Sequence, residues 1–317
     1  MNSADIMKRI QIALLFMGCS FVAKSQQDPQ YTQYMYNMSI VNPAYTSNER
    51  GIINFGTLYR FQWQNVVGAP KTLTFFAHTP LNDKVETGIS FISDDIGDGV
   101  LKENNIYVDF AYILKLNAKS NIALGLKGGI TNFETNFNGF QLPEFQDDDA
   151  FNENAHSTFP NFGVGAFYHR DNFYAGVSVP NLLTSKHLDN ENGIHRIGSE
   201  EIHLFFTSGY VYTLHPNLKI KPSIMAKMVN GSPISLDTSL NVLFHNKIEG
   251  GLSYRLEDAV SAMFNISVAS AIRIGYAYDY TLSNLGSFSA GSHEIFALFN
   301  LDLLGLKKGY DKSPRFY

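Results

Sequence analysis

Strict alternation of apolar and polar side chains runs along nearly the whole chain beyond residue 50, and it constrains the fold more than any other feature. Between residues 104 and 116, Ile106, Val108, Phe110, Tyr112, Leu114 and Leu116 share one face, while Asn105, Tyr107, Asp109, Ala111, Ile113 and Lys115 share the other. Successive side chains of a strand point to opposite sides of the sheet, so this period of two predicts a strand with one apolar and one polar face. The pattern recurs at 218–228, where Leu218, Ile220, Pro222, Ile224, Ala226 and Met228 oppose Lys219, Lys221, Ser223, Met225 and Lys227. At 272–280 it sets Ile272, Ile274, Tyr276, Tyr278 and Tyr280 against Arg273, Gly275, Ala277 and Asp279. Charge stays off the apolar face each time.

Such segments number about fourteen, centred near 57, 76, 89, 110, 126, 165, 176, 208, 223, 239, 252, 264, 276 and 296. That count belongs to the even series of bacterial transmembrane barrels. Tight turns such as Leu81-Asn82-Asp83-Lys84, Asn117-Ala118-Lys119 and His215-Pro216-Asn217 alternate with longer connections, the longest at 134–158 and 181–200. Short turns on one rim and long loops on the other are expected of a barrel whose ends both face the periplasm, although the connections near 230 and 257 are short for the outer rim. On this reading an arginine at Val108, Phe110 or Ile224 meets lipid, while the same change at Ser223 meets the lumen and costs less.

At the start, Lys8 and Arg9 precede an apolar stretch from Ile10 to Val22 and the small-x-small triplet Ala23-Lys24-Ser25, the three parts of a secretory signal. Cleavage after Ser25 removes Cys19, the one cysteine of the 317 residues. No later apolar run approaches the length of a spanning helix, so membrane insertion must use strands. The expectation is an all-β chain: a signal peptide at 1–25, a periplasmic segment or plug at 26–50, a transmembrane antiparallel β-barrel of about 14 strands at 51–303, and a periplasmic tail at 304–317. A secreted sandwich or propeller also alternates. Its polar faces would carry more charge than the 17% Asp, Glu, Lys and Arg found here.

Parity places Arg60, Asp109, Lys115, Lys127, Lys219, Lys221, Lys227, Asp237, Glu249, Arg255, Arg273, Asp279 and Glu294 toward the lumen. They form either a polar conduit or binding cup, or opposite charges paired across neighbouring strands to fill a narrow barrel, and the second reading is favoured. The histidines do not converge on a metal, since His169, His215 and His245 fall in turns and His156, His187 and His195 in loops. Asp147, Asp148, Asp149 and Glu153 read as a solvated acidic stretch of an outer loop. No nucleophile elbow, phosphate-binding loop or zinc motif stands in a supporting context, so neither an enzyme nor a cofactor is expected. A net charge of −5 without a basic, aromatic-interleaved stripe argues against nucleic acid.

Particular strings go further. Gln27-Asp28-Pro29-Gln30-Tyr31-Thr32-Gln33-Tyr34-Met35-Tyr36-Asn37, followed by Val41-Asn42-Pro43-Ala44-Tyr45, resembles the opening of the PorP/SprF family of type IX secretion membrane proteins. Pro160-Asn161-Phe162-Gly163-Val164-Gly165 and Gly176-Val177-Ser178-Val179-Pro180-Asn181-Leu182-Leu183 resemble its central strands. Ile272–Tyr280, with Gly291-Ser292-His293-Glu294-Ile295, resembles its last two, and the ending Ser313-Pro314-Arg315-Phe316-Tyr317 carries Tyr where the family has Phe. The resemblance implies an outer-membrane protein of Bacteroidetes-type bacteria that supports export of particular large surface proteins, gliding adhesins included. It implies as partners the type IX translocon, periplasmic secretion machinery, cargo and outer-membrane lipid, with no catalytic residues. Asp28, Tyr31, Tyr34, Tyr36, Asn42 and Pro43 are the candidate partner contacts. The alternatives are a passive channel or hydrophobic-solute transporter, and an outer-membrane enzyme.

Overall fold

A computed structural model describes residues 29–46, 51–137, 154, 156–183 and 201–302. The proposed signal peptide, the acidic stretch 147–153 and the tail 304–317 lie outside the described residues.

Each alternating segment forms a strand. In chain order they are β1 (Ile52–Phe61), β2 (Lys71–Asn82), β3 (Val85–Ile96), β4 (Leu101–Asn117), β5 (Ser120–Thr135), β6 (His156–Arg170) and β7 (Phe173–Val179). There follow β8 (His203–Tyr210), β9 (Tyr212–His215), β10 (Leu218–Val229), β11 (Ser235–Phe244), β12 (Ile248–Arg255), β13 (Ala259–Ala269), β14 (Ile272–Thr281) and β15 (Ser292–Asp302). β8 and β9 are two parts of one strand interrupted at Val211, and both pair with β10. The wall therefore has fourteen strands. Every neighbour is antiparallel, and β15 returns to β1, from Ile52 opposite Asp302 to Phe61 opposite His293. Closure leaves no unpaired sheet edge, which is the condition for strands to cross lipid.

The strict parity has its physical cause in the two media. Outward side chains such as Val108, Phe110, Leu126 and Leu252 are exposed and apolar, while inward Tyr107, Asp109, Lys127 and Ser253 are buried. Val108 is 55% exposed and Tyr107, one residue earlier, 2%. Because burying an exposed apolar face in water-free hydrocarbon is favourable, the belt is stable only in a bilayer. Val108→Arg or Phe110→Arg is accordingly expected to destabilise by about 2–4 kcal/mol near the midplane, read from refolding titrations into vesicles. Unchanged stability would show that this face does not meet lipid.

The rims differ as the chain pattern requires. One is made of turns of two or three residues, such as Asp83-Lys84, Ala118-Lys119, Pro216-Asn217 and His245-Asn246-Lys247. His245 and Asn246 adopt positive φ, a conformation that asparagine tolerates in tight turns. The other rim carries the longer connections, including 62–70, which exchanges backbone hydrogen bonds with the 282–291 connection through Gln64, Ala290 and Gly291. A tag inserted in the turn Asn284–Ser287 is expected to react on intact cells, and one between Asp83 and Lys84 only after outer-membrane disruption. The reverse pattern would invert the barrel.

Among the described residues no helix is long and apolar enough to span a membrane. Helical pieces are short: a 3-10 turn at Tyr34–Tyr36, helix α1 at Met38–Val41, and the 3-10 turn Asn284–Ser287. The first two belong to a segment, residues 29–46, that lies inside the barrel. Its Tyr34, Met35, Tyr36, Met38, Ile40 and Val41 form the hydrophobic core together with inward Leu58, Phe76, Phe167, Phe205 and Phe296 of the wall. The core of this protein is thus the contact between a plug and its barrel.

Candidate functional site

The plug is fastened by hydrogen bonds that its sequence cannot make within itself. A short segment with barely two helical turns leaves most backbone N–H and C=O groups without internal partners, and in a packed lumen these are met largely by the wall. Glu294 accepts the backbone N–H of Thr32 at 3.0 Å and of Gln33 at 2.7 Å. Asp279 accepts the Thr32 hydroxyl at 2.7 Å. Arg60 bridges both carboxylates, Nη2 to Asp279 at 2.8 Å and Nη1 to Glu294 at 3.1 Å. All three side chains are almost fully buried. Arg60, Glu294 and Asp279 come from β1, β15 and β14, three consecutive strands, so the closing seam of the barrel also grips the plug.

A second anchor lies lower, toward the short-turn rim. Glu249 accepts the Tyr36 hydroxyl in a short bond, Asn241 Nδ2 at 2.7 Å and Arg273 Nη1 at 3.4 Å. Asn265 donates to the Tyr36 oxygen at 2.7 Å, and the ring stacks on Phe296 with centroids 4.3 Å apart. Lys221 Nζ lies 5.6 Å from the centre of the same ring, a cation–π distance. On the opposite wall Lys127 donates to the Ile40 carbonyl at 3.0 Å and faces Asp109 at 3.8 Å, while Ser178 donates to the Val41 carbonyl at 2.8 Å. Near the outer rim Arg255 holds Asp237 at 2.8 Å, Asp258 at 3.3 Å and the Gln30 side-chain oxygen at 3.2 Å.

The turn at Asn42-Pro43-Ala44 approaches the wall backbone most closely. Asn42 Oδ1 accepts the Ala44 N–H at 2.9 Å, and Asn42 Nδ2 reaches the Ala166 carbonyl at 3.2 Å. The wall is bare where the turn rests: a Cβ at Gly165 would meet Asn42 Oδ1 at 2.1 Å, and one at Gly125 the Ala44 nitrogen at 2.3 Å. Gly165→Val is therefore expected to push the turn off the wall, giving protease cleavage within 29–46 while the barrel stays folded. Gly250→Val, with no atom within 4 Å of its Cβ position, is the control. Equal protease resistance in the two would reject the close fit.

Of the thirteen inward residues expected from parity, eleven are buried in the lumen, Lys219 is half-buried, and Lys115 is exposed at the short-turn rim. Arg60, Asp279 and Glu294 converge, as do Glu249, Arg273 and Lys221, and Asp237 with Arg255; Lys227 is buried higher in the lumen. Tyr31, Tyr34, Tyr36, Asn42 and Pro43, the described candidates for partner contact, are buried against the chain's own barrel, and Asp28 lies outside the described residues. In this conformation they hold the plug rather than offer a surface. The sequence reading passed over Thr32, Gln33, Asn241, Asn265 and the buried His78–Glu86 pair. Inward parity marks the last four, but the expectation covers only ionisable residues, which leaves out Asn241 and Asn265, and it does not extend to β2 and β3, where His78 and Glu86 lie. Gly125 and Gly165 carry no signal until the plug is in place.

Two small cavities are lined by the described residues. A cavity of about 50 Å3 lies above the plug between Tyr31, Ile40, Tyr107, Phe205, Met225 and Arg255, and one of about 10 Å3 sits beside Tyr45 and His78. The first holds a few waters and the second at most one. No group of His, Cys, Asp and Glu among the described residues could hold a metal ion.

A closed fourteen-stranded wall, apolar outside and filled with a polar-anchored plug, defines an outer-membrane β-barrel protein. The chain belongs to the PorP/SprF family, described as type IX secretion system membrane proteins, whose model matches residues 23–299 and so covers the plug and nearly the entire wall. It is an outer-membrane component of the type IX secretion system. No curated protein matches the sequence. Among solved structures, a Pseudomonas aeruginosa FadL homologue is similar at 11% identity and TM-score 0.49, over 89% of this chain and 96% of that one. The Acinetobacter baumannii outer membrane protein Omp33 is similar at 8% identity and TM-score 0.48, over 78% and 97%. The Pseudomonas putida toluene transporter TodX is similar at 9% identity and TM-score 0.45, over 83% and 92%.

Proposed function

We propose that this protein is a non-catalytic accessory of type IX secretion that supports export or surface attachment of a few large surface proteins, of the gliding-adhesin type, by contacts at its two rims. The observation that carries this reading is the filled lumen. A folded or extended polypeptide needs a through-passage, and among the described residues the lumen is filled by the plug, with a cavity of about 50 Å3 above it. The barrel therefore serves as a rigid membrane-held platform whose outer loops meet cargo and whose inner turns meet the periplasmic machinery. Gram-negative cells lacking this chain should export most type IX cargo and retain one or a few large surface proteins, compared by surface and periplasmic proteomics with a complemented strain. Normal display of every surface protein would overturn the proposal.

A solute channel is the second reading, favoured by the apolar side chains of Ile40, Val41, Ile92, Phe205 and Met225 around the upper cavity. Flux of small hydrophobic solutes through the intact purified protein in bilayers would support it, and its absence would leave the secretion reading alone.

A further inference from the structure

Among the described residues the two rims carry opposite charge. At the long-loop rim Asp94, Asp95, Asp98, Glu103, Glu134 and Asp258 outweigh Lys71 and Lys102. At the short-turn rim Lys84, Lys115, Lys119, Arg170, Lys219 and Lys247 outweigh Asp83, Asp171 and Asp302. Five of those six cations are exposed and Lys219 is half-buried.

From this segregation we infer that the periplasmic rim is a docking surface for an acidic face of a periplasmic protein. Where the cations point decides between a protein and lipid headgroups. Lys115 shares the inward parity of buried Asp109 and Ile113, and Lys219 that of buried Lys221, so both lean over the lower mouth, toward the barrel axis. Lys84, Lys119 and Lys247 sit in the turns, beyond the last paired residues. The outward positions beside them are apolar: Leu114, Leu116, Leu214, Phe244 and Ile248. Headgroup binding requires cations on the outward face, and of the six only Arg170 has that parity, while the rest of that face is hydrocarbon-seeking. A body seated across the mouth meets the whole ring, and a net excess of one sign around a low-dielectric rim adds to a field that steers an oppositely charged partner. The lower lumen closes the mouth with the Tyr36, Glu249 and Arg273 anchor, so the partner docks on the ring and does not enter.

This inference rests on the secretion reading only for the partner's identity. The full-length protein in nanodiscs of zwitterionic lipid should bind fluorescent poly-L-glutamate, more weakly as salt rises. The triple change Lys84→Glu, Lys119→Glu, Lys247→Glu should weaken that binding by about tenfold or more. Lys71→Glu with Lys102→Glu, on the other rim, should leave it unchanged. Equal binding by the triple variant overturns the inference, as does a response to the triple change seen only with phosphatidylglycerol in the disc. In cells, the triple variant should reach the outer membrane at normal level yet lose the surface proteins lost on deletion. If it displays them normally while the deletion does not, the docking surface is rejected and the secretion role stands. Normal display after deletion rejects the secretion role instead, and the poly-L-glutamate result still judges the charge ring.

Discussion

Removing residues 29–46 should convert a sealed barrel into a conducting one. In planar bilayers the intact protein is expected to show little ionic current, and the deletion, with Asp28 joined to Ser47, single open steps. The plug supplies much of the core, from Tyr31 to Ala44, and a fourteen-stranded wall without it encloses a lumen lined by Arg60, Lys127, Lys221, Glu249 and Asp279. Polar inward side chains of that kind hold water once the apolar filling is gone. The barrel is retained by its closed ladder, and its folded state is checked by gel mobility with and without heating. A folded deletion variant that stays silent would show that the wall collapses inward and that the plug is not the seal.

Arg60→Ala should be the most damaging single change in the lumen. It leaves Asp279 and Glu294 buried beside one another without the guanidinium that joins them, and it removes a donor to Thr32. Removing one partner of a buried ion pair costs about 3–5 kcal/mol, because the surviving charge stays desolvated. The effect should appear as a lowered midpoint of urea unfolding in vesicles and as early proteolysis at Thr32–Gln33. Arg60→Ala combined with Asp279→Asn and Glu294→Gln should recover part of the loss. No loss in the single variant would mean that the seam does not grip the plug.

An open polar lumen would tolerate arginine at Ser223 better than at Val108, as the alternation by itself suggests. The structure corrects that contrast. Ser223 is buried and hydrogen-bonded to Ser239 at 2.8 Å within a filled interior, so a large side chain there has nowhere to go. Parity identifies the face, and paired charges filling the barrel are the favoured expectation, but the cost at Ser223 follows only from the packing of the tertiary structure.

How far the sequence reaches follows from which interactions are local. Each of the fourteen expected centres falls inside an observed strand, from residue 57 in β1 to residue 296 in β15, because lipid on one side and a polar interior on the other impose a period of two on every strand separately. The same rule placed Arg60, Glu249 and Glu294 inward. What no strand records is its partner across the lumen. Arg60 meets Asp279 and Glu294 at sequence separations of 219 and 234, and Thr32 meets Glu294 at 262. Those contacts exist only once β15 has closed on β1 and the plug has been seated. By itself, then, the sequence determined the strands, their two faces and the short-turn rim, all consequences of nearest-neighbour geometry in a given solvent. Only the tertiary structure decided that residues 29–46 fill the barrel, that glycines at 125 and 165 make room for Asn42-Pro43-Ala44, and that the lumen's charges hold a plug, since each requires segments far apart in the chain to meet in one packed space.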